Sequence, residues 1–424
     1  MLQHTGFQGH FFQQQLANLD RFLYDSRALW QVVAFQQDDL PWQDKFPTLA
    51  EKVWQLEDFT LEIIDKSPDL LLSTLLPALE QDCRLSDLQW DLSLLSQMLI
   101  PLKPATEMNQ TWAAFADEAH FSAHIKGRKW HQITAFTQSI SDTVFNNQYP
   151  VLEWCAGKGH LGRLIAKTQE VSVLSIEWQE DLCRAGEAFA QQWVLPQHFI
   201  CADAFTEGRA YIKQQQCVIA LHACGDLHVN LLQSAAEVQT KEIAFSPCCY
   251  HLIKDKTYQA LSKQAQQSFL QLSRHDLQLP LQQSVIASGK QNDYRLQEIA
   301  WRLGFDTLQR EVRGVNTYLP VPSIKQSQLN GTFNDFCLWA AKQKNVVLPD
   351  ELNFEALLKK GYARQRLTRR IDLVAHLFRG VLERWLLLDR VCFLQEAGYQ
   401  VHLSRFCDAS ITPRNALITA SKSL

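Results

Sequence analysis

Residues 151–162 combine glycines and acids in a spacing that suits ligand binding. Gly157, Gly159 and Gly162 form the pattern G-x-G-x-x-G, with a short apolar strand predicted before them and a helix after them. Glycine permits positive φ and lets a ligand approach the backbone closely. The free N–H groups and the dipole of a helix N-terminus favour an anionic or carboxylate-bearing ligand. Lys158 and His160 lie between these glycines, and we include them in the predicted site.

Two acids near this loop help to decide which ligand the motif binds. Glu177 lies 20 residues after Gly157, where a dinucleotide fold places the acid that binds the ribose. Glu153 lies inside the first strand, which dinucleotide folds usually keep apolar. Proteins that bind S-adenosylmethionine (SAM) often carry an acid there that faces the methionine ammonium. Glu153 therefore favours SAM over NAD, and a glycine turn without any ligand is the remaining alternative.

Glu177 and Asp203 are predicted to bind the two ends of the adenosine. A carboxylate after the second strand can accept both ribose hydroxyl protons, whereas the alternative for Glu177 is a surface acid at a strand end. Asp203 follows the third predicted strand, where it could accept a hydrogen bond from the adenine amino group. A helix N-cap is an equally common role for an aspartate.

Two polar motifs follow the fourth and fifth predicted strands, His-Ala-Cys-Gly-Asp at 222–226 and Pro-Cys-Cys-Tyr-His at 247–251. Methyl transfer needs an aligned nucleophile and a group that accepts its proton. The residues that we predict to orient the substrate or accept its proton are His222, Asp226, Cys248, Tyr250 and His251. The alternative is a turn at Gly225 with Asp226 as the helix N-cap.

The same motifs hold enough sulfur and imidazole to bind a metal. Zinc sites, however, favour spaced pairs such as C-x₂-C, and we expect the adjacent Cys248 and Cys249 to point apart. The sequence therefore predicts no metal site.

These motifs are positioned by a pattern in which strand, turn and helix alternate. Alternating strands and helices predict parallel βαβ units with right-handed crossovers, and ligands bind beyond the carboxyl ends of such strands. Each polar motif lies at such an end. The predicted strands are 151–155, 171–176, 198–201, 218–221, 243–245, 401–406 and 416–420.

Three motifs in this order resemble those of a class I SAM-dependent methyltransferase family: Glu-Trp-Cys-Ala-Gly-Lys-Gly-His-Leu-Gly, Leu-His-Ala-Cys-Gly-Asp and Pro-Cys-Cys-Tyr-His. Related proteins include methyltransferases with a glutathione-transferase C-terminal-like region, and tRNA acceptor-stem 2′-O-methyltransferases have a similar pattern. The stretch Ile-Thr-Pro-Arg-Asn at 411–415 also resembles the family. The resemblance covers roughly 120–256 and 360–424 and implies a Rossmann-like sheet that binds SAM. The Asp/Asn-Pro-Pro-Tyr/Phe motif of many base N-methyltransferases is missing, which argues against an exocyclic amine as the acceptor.

We predict three parts of the chain. Residues 10–100 are predicted to be almost entirely helical, and residues 1–108 are predicted to form an N-terminal helical domain. Residues 109–254 and 392–424 form the sheet domain, in which residues 117–148 are predicted to be helical. The basic cluster of this helix could line the cleft or lie on a solvated helix face, which is the commoner case; its residues are Lys126, Arg128, Lys129 and His131. Residues 255–391 form a helical insertion with a basic segment.

The basic segment, 359–370, contains six basic residues and no acid. It resembles an arm that follows phosphates, although short basic runs are also common on solvated helix faces. We expect an RNA substrate, tRNA or rRNA, to bind through Lys359, Lys360, Arg364, Arg366, Arg369 and Arg370. The alternatives are a protein or small-molecule substrate, or a SAM- or nucleotide-binding assembly factor without catalysis.

Composition limits the class of protein further. A net charge of −4 excludes a strongly basic nucleic-acid binder, so any such role needs a local patch. The 11 cysteines are scattered without a C-x-x-C pair, which indicates reduced thiols and a cytoplasmic location. We expect no secretory signal and no membrane span.

Overall fold

The structure is a computed structural model that describes residues 3–105, 115–145, 148–282 and 289–422. The chain divides into two compact units. The sheet unit comprises Met1–Arg21, Ile100–Leu281 and Leu382–Leu424, and the helical unit comprises Phe22–Leu99 and Gln282–Val381.

The sheet unit contains a seven-stranded sheet with the order β3-β2-β1-β4-β5-β7-β6. The first five strands are parallel, and β7 pairs antiparallel with both β5 and β6. The α/β prediction of a Rossmann-like sheet is confirmed, including the two closing strands from the C-terminal part of the chain. The strands are β1 Val151–Trp154, β2 Val173–Glu177, β3 Gln197–Cys201, β4 Cys217–Cys224, β5 Glu242–Cys248, β6 Gln400–Arg405 and β7 Ala416–Ser421.

Two apolar clusters cover the two faces of the central strands, which explains why their sequences are almost continuously apolar. Leu152, Val218 and Ile243 point into one cluster, and Val151, Ile219 and Ala244 point into the other. The α-helices of the described residues are α1 Gln3–Trp30, α2 Pro47–Gln55, α3 Leu61–Lys66, α4 Pro68–Leu85, α5 Ser93–Gln97, α6 Glu118–Phe121, α7 Gly127–Val144, α8 His160–Gln169, α9 Glu180–Gln192, α10 Asp226–Glu237, α11 Gly289–Arg313, α12 Phe333–Lys344, α13 Phe354–Ala375 and α14 Arg379–Glu396.

Strands β4 and β5 run further than the sequence indicates. The fourth and fifth strands were expected to end at Leu221 and Phe245, but β4 continues to Cys224 and β5 to Cys248. Their pairing shifts register between Leu221 and Cys224, and His222 has a φ of +66°. The polar motifs are therefore partly built into the sheet edge, where they are held more rigidly than in loops.

The helical unit joins two segments that we predicted to be separate parts of the chain. Residues 22–99 belong to the same unit as 282–381, so the predicted N-terminal domain and insertion are not independent bodies. Residues 255–281 and 382–391, predicted as insertion, belong to the sheet unit instead. Within the helical unit, α11 packs against α13, and Trp301, Phe305, Phe333 and Phe336 form an aromatic core.

Local signals within the helical unit are reliable. A serine followed by a proline is typical of a helix start, and at Ser67-Pro68 the serine side chain accepts a hydrogen bond from the N–H of Leu70 at the start of α4. Among the described residues, no helix is long and apolar enough to cross a bilayer.

Candidate functional site

The glycine loop joins β1 to the N-terminus of α8, as the sequence predicts, but its glycines serve different purposes. Gly157 and Gly159 both have positive φ, +61° and +63°. A Cβ at Gly157 would meet no atom within 4 Å, whereas one at Gly159 would lie 2.3 Å from Cζ of Phe199. A Cβ at Gly162 would lie 2.3 Å from Oε2 of Glu153. Of these three glycines, Gly157 alone leaves room for a ligand, while the other two allow the loop and helix to pack on the sheet.

Glu177 lies at the end of β2 and holds this loop. Its Oε2 accepts the N–H of Gly157 at 2.9 Å, and its Oε1 accepts the N–H of Gln179 at 3.0 Å. An ionised carboxylate has about four acceptor positions, so two remain for further donors. A ribose with two adjacent hydroxyls matches the remaining capacity.

Glu153 is buried beneath α8 and already has partners within the chain. Its Oε2 accepts the hydroxyl of Ser175 at 2.7 Å, and the backbone N–H of Gly162 also donates to the carboxylate. Burial raises the pKa of Glu153 to about 7, partly opposed by these hydrogen bonds. The carboxylate thus fastens the first turn of α8 to β2, a role that the sequence did not indicate and that stands beside the predicted contact with an ammonium.

The remaining predicted cofactor residues, Lys158, His160 and Asp203, differ in how far they are buried. Nδ1 of His160 is buried without a hydrogen-bond partner among the described residues, and burial lowers the pKa of this imidazole to about 3. Lys158 is exposed. Asp203 is also exposed, and its carboxylate accepts the N–H of Phe205 at 2.8 Å in a turn.

These features fit a SAM-type cofactor. Gly157 provides open space next to the backbone, Glu177 has free acceptor capacity, and the orphaned His160 nitrogen needs a polar partner. All three belong to the segments that follow β1 and β2, which is where a parallel sheet binds its ligands.

His222 lies in the irregular end of β4. Its Nε2 is 2.9 Å from Oε1 of Gln132 on α7. Burial lowers the pKa of His222 to about 4, with smaller contributions from Arg414 and Lys129. The imidazole is therefore neutral at pH 7, with Nε2–H donating to Gln132 and Nδ1 left as the basic atom.

Three cysteine sulfurs meet where β4 and β5 end. The Sγ atoms of Cys224 and Cys248 are 3.3 Å apart, and those of Cys224, Cys248 and Cys249 all lie within 4.8 Å of one another. The expectation that Cys248 and Cys249 point apart is wrong, because Cys249 leaves the extended conformation with a φ of +47° and both sulfurs lie near that of Cys224. A hydrogen bond from the Cys248 thiol lowers the pKa of Cys224 to about 6, and the same contact raises the pKa of Cys248.

The other three residues predicted to act on the substrate, Asp226, Tyr250 and His251, are held within the fold. Asp226 begins α10, and its Oδ2 accepts the N–H of Lys254 at 2.6 Å. Tyr250 is 1% exposed, and burial raises its pKa well above the usual range, so it is a neutral core residue rather than a base. Nδ1 of His251 is buried without a hydrogen-bond partner in the described part of the chain.

Residues 128–256 match the model of a family described as a methyltransferase domain. This part of the chain is a SAM-dependent methyltransferase domain. The match contains the glycine loop, Glu177, His222 and all three clustered cysteines, and it leaves the helical unit outside.

Solved structures with some likeness to the chain include the following two proteins. Magnesium protoporphyrin IX methyltransferase from Synechocystis PCC 6803, solved with bound SAH, has 16% identity and a TM-score of 0.23 over 27% of this chain and 54% of its own. TrmN from Thermus thermophilus has 14% identity and a TM-score of 0.27 over 34% of this chain and 46% of its own. The chain spans about half the length of each.

Two cations act on the polar groups of the methyltransferase domain. The charge of Lys129, at the start of α7, acts on Glu153, His160 and His222. The charge of Arg414 acts on His222, Cys224 and Cys249. Lys129 belongs to the basic group that the sequence predicts to line the cleft. Arg414 lies in the Ile-Thr-Pro-Arg-Asn motif at 411–415, so the resemblance to the family could have identified it. Gln132, the hydrogen-bond partner of His222, belongs to no motif and could not be found from the sequence.

The basic segment 359–370 does not form an exposed arm. It lies in α13 within the helical unit, where Arg370 is fully buried and Arg364 nearly so. Their acidic partners come from distant parts of the sequence, which is why the segment looks unpaired when read alone. The ion pairs are Lys360 with Glu311, Arg364 with Asp306, and both Arg366 and Arg370 with Asp58, while Arg369 donates to the carbonyl of Asp58. The prediction that the whole set follows phosphates is wrong, because Arg370 is buried and Arg364 nearly so. Lys359, Lys360 and Arg366 remain exposed, the last two in ion pairs.

Proposed function

We propose that the protein transfers a methyl group from SAM to RNA at the carboxyl edge of β1, β2, β4 and β5. The observation that carries the proposal is the direct pairing of β1 with β4, which brings the glycine loop next to the strand that contains His222. The charge of Lys129 acts on groups of both strands, Glu153 and His222. One cation therefore serves a site in which cofactor and acceptor groups are neighbours.

Binding and orientation of the cofactor come from the glycine loop. Gly157 offers close approach to the backbone, and Glu177 offers its two unused acceptor positions to the ribose. Glu153 keeps α8 and its N–H groups in place. When bound, SAM supplies an electrophilic methyl group on a sulfonium, so the protein needs to align the acceptor and receive its proton.

His222 is the candidate proton acceptor. The contact with Gln132 fixes the neutral tautomer in which Nδ1 is basic. Burial keeps the imidazole uncharged above about pH 4, so the base is available throughout the physiological range. Asp226 and Tyr250 are not needed in this scheme. The Asp226 carboxylate already accepts the N–H of Lys254, and Tyr250 is a neutral residue buried in the core.

RNA is the substrate class that suits the charges at this edge. Lys126, Arg128 and Lys129 lie at the start of α7 with exposed side chains, and the charge of Arg414 acts on His222 near the end of β4. Phosphate contacts from such residues position a nucleic acid without reading its sequence. This group replaces the basic segment of α13 as the phosphate-binding surface.

The test is methyl transfer from labelled SAM to total RNA and total protein of a cell that lacks the gene. We expect label in RNA nucleosides, loss of transfer in His222→Ala with unchanged SAM affinity by calorimetry, and weaker RNA binding with a smaller salt dependence in Lys129→Gln. Lys359→Gln, which removes an exposed lysine of α13, is the matched control and should behave like the parent.

The alternatives give different results. Label in protein or small molecules alone would replace RNA with another substrate, and SAM binding without transfer to any fraction would indicate an assembly factor. NAD binding without SAM binding would reject the proposal entirely.

A further inference from the structure

We propose that Cys224, Cys248 and Cys249 bind one zinc ion through three thiolates at the ends of β4 and β5. This metal site is independent of the proposed methyl transfer, because it rests on the three sulfurs and their backbone. Thiolate ligands select soft or borderline metals, of which zinc is the usual one in a site of fixed oxidation state.

The distances between the sulfurs suit a single tetrahedral ion. Zn–S bonds of about 2.3 Å at tetrahedral angles place two sulfurs about 3.8 Å apart. In this protein the Cys224 and Cys248 sulfurs are 3.3 Å apart, and no pair within the group of three exceeds 4.8 Å. The required spacing lies between these two values, so small side-chain rotations suffice to complete the site.

The backbone that brings the sulfurs together is unusual at two positions. Adjacent residues of a strand point to opposite faces, which would separate Cys248 from Cys249. The chain avoids this separation by ending β5 at Cys248 and adopting a φ of +47° at Cys249. On the neighbouring strand, the register shift and the φ of +66° at His222 redirect Cys224. Sparsely populated backbone conformations at non-glycine residues cluster at functional sites, where the surrounding structure maintains them.

The charges and polar atoms around the sulfurs are consistent with a metal-bound state. Three thiolates and one Zn²⁺ carry a net charge of −1, and the nearby Arg414 guanidinium supplies the compensating positive charge. Each sulfur binds the ion as a thiolate, and a cysteine that is still protonated releases its proton to solvent on binding. Three protein ligands leave one tetrahedral position for water or a substrate atom, an arrangement typical of zinc sites that are not purely structural.

The first test measures metal binding to the full-length, reduced protein. After treatment with a chelator and titration with Zn²⁺, elemental mass spectrometry of the desalted protein should find one zinc per chain. Cys224→Ser and Cys249→Ser should each weaken zinc binding by at least ~100-fold. Losing a residue that only hydrogen-bonds to a metal ligand costs up to about 100-fold, and the loss of a ligand itself should cost no less. Cys201→Ser, which removes an exposed thiol elsewhere, should bind zinc like the parent.

A second measurement uses the unmodified protein, so that it does not depend on whether the variants fold. Alkylation with iodoacetamide, mapped by mass spectrometry, should show that Zn²⁺ protects Cys224, Cys248 and Cys249, while Cys201 reacts equally with and without the ion. A reduced protein that retains no stoichiometric zinc, or zinc that protects none of the three cysteines, overturns the proposal. SAM binding and methyl transfer, measured separately, decide the proposed function.

Discussion

Gly157 and Gly159 have almost the same backbone conformation and opposite surroundings. The first faces open space, and the second faces the side chains of Phe199 and Gln197. The same sequence motif therefore contains one glycine that serves a ligand and another that serves the packing of the fold. Substituting a glycine can distinguish ligand binding from packing, provided that a control variant carries the same backbone strain of a side chain at positive φ.

Gly157→Val should abolish SAM binding and leave the protein folded. Gly314→Val is the matched control, because Gly314 has a φ of +65° and equally open space around its Cβ but lies in the helical unit. Both variants should lose a similar ~1–3 kcal/mol to backbone strain in thermal denaturation. Calorimetry that finds parental SAM affinity in Gly157→Val would place the cofactor elsewhere.

Glu153 should make the protein less stable as the pH rises. Its folded-state pKa of about 7 lies above the usual glutamate pKa of 4.5, so its contribution to stability is fully present below about pH 4.5 and is lost as the pH rises through 7. Glu153→Gln should therefore gain up to roughly 3 kcal/mol in free energy of unfolding at pH 8 relative to pH 4, since each pKa unit is worth about 1.4 kcal/mol. Urea denaturation at both pH values measures this difference. Glu57→Gln, at an exposed position, should retain the parental pH dependence of stability. If Glu153→Gln also retains it, the carboxylate of Glu153 is not destabilised by burial.

At the scale of elements, α13 holds the helical unit together through its arginines. Arg370 donates to the carbonyls of Val53 and Leu56 at 2.9 and 2.7 Å, and its guanidinium lies 4.6 Å from the ring centre of Trp54. A guanidinium meets several acceptors at once in a way that an ammonium does not. The arginines of this helix thus act through geometry as well as charge.

Arg370→Lys distinguishes this structural role from phosphate binding. It keeps the positive charge, so a phosphate-binding role would be largely preserved. The loss of buried hydrogen bonds should instead cost roughly 2–3 kcal/mol, measured by urea denaturation. Lys359→Gln should stay within about 0.5 kcal/mol of the parent, as most exposed substitutions do. A fully stable Arg370→Lys would return α13 to consideration as an RNA-binding surface.

What the sequence reveals about these elements depends on how local each signal is. The alternation of strands and helices identifies all seven strands, and Ser67-Pro68 identifies the start of α4, because both are properties of neighbouring residues. The ion pairs of Arg364 with Asp306 and of Arg370 with Asp58 join residues far apart in the chain, so the same arginines look unpaired in the sequence. The cysteine cluster is hidden for a related reason, since it depends on a positive φ at Cys249 that the residue type does not favour.

At the scale of the whole molecule, both units are discontinuous in sequence. The helical unit combines residues 22–99 with 282–381, and the sheet unit supplies the chain between them. Neither helical segment contains all the partners of its own buried groups. The buried Arg370, for example, pairs with Asp58 of the other segment.

Separate production of the two segments tests this dependence. Residues 22–99 alone should show weak helical circular dichroism and no cooperative unfolding, because α13 is missing. Mixing or co-expressing them with residues 282–381 should restore a cooperative transition. A segment 22–99 that unfolds cooperatively by itself would show that it is an independent domain after all.

The antiparallel strand β7 sets the order of events during synthesis. It pairs with β5 through Ile243 and Ala420, so the edge of β5 waits for a strand that is made about 180 residues later. At roughly 5–20 residues per second, the ribosome takes about 10–40 s to deliver it. Through this interval the nascent chain carries an apolar strand with an open edge, the kind of surface that pairs with other chains. Chaperones that cover such edges should therefore influence the yield of this protein more than its final stability.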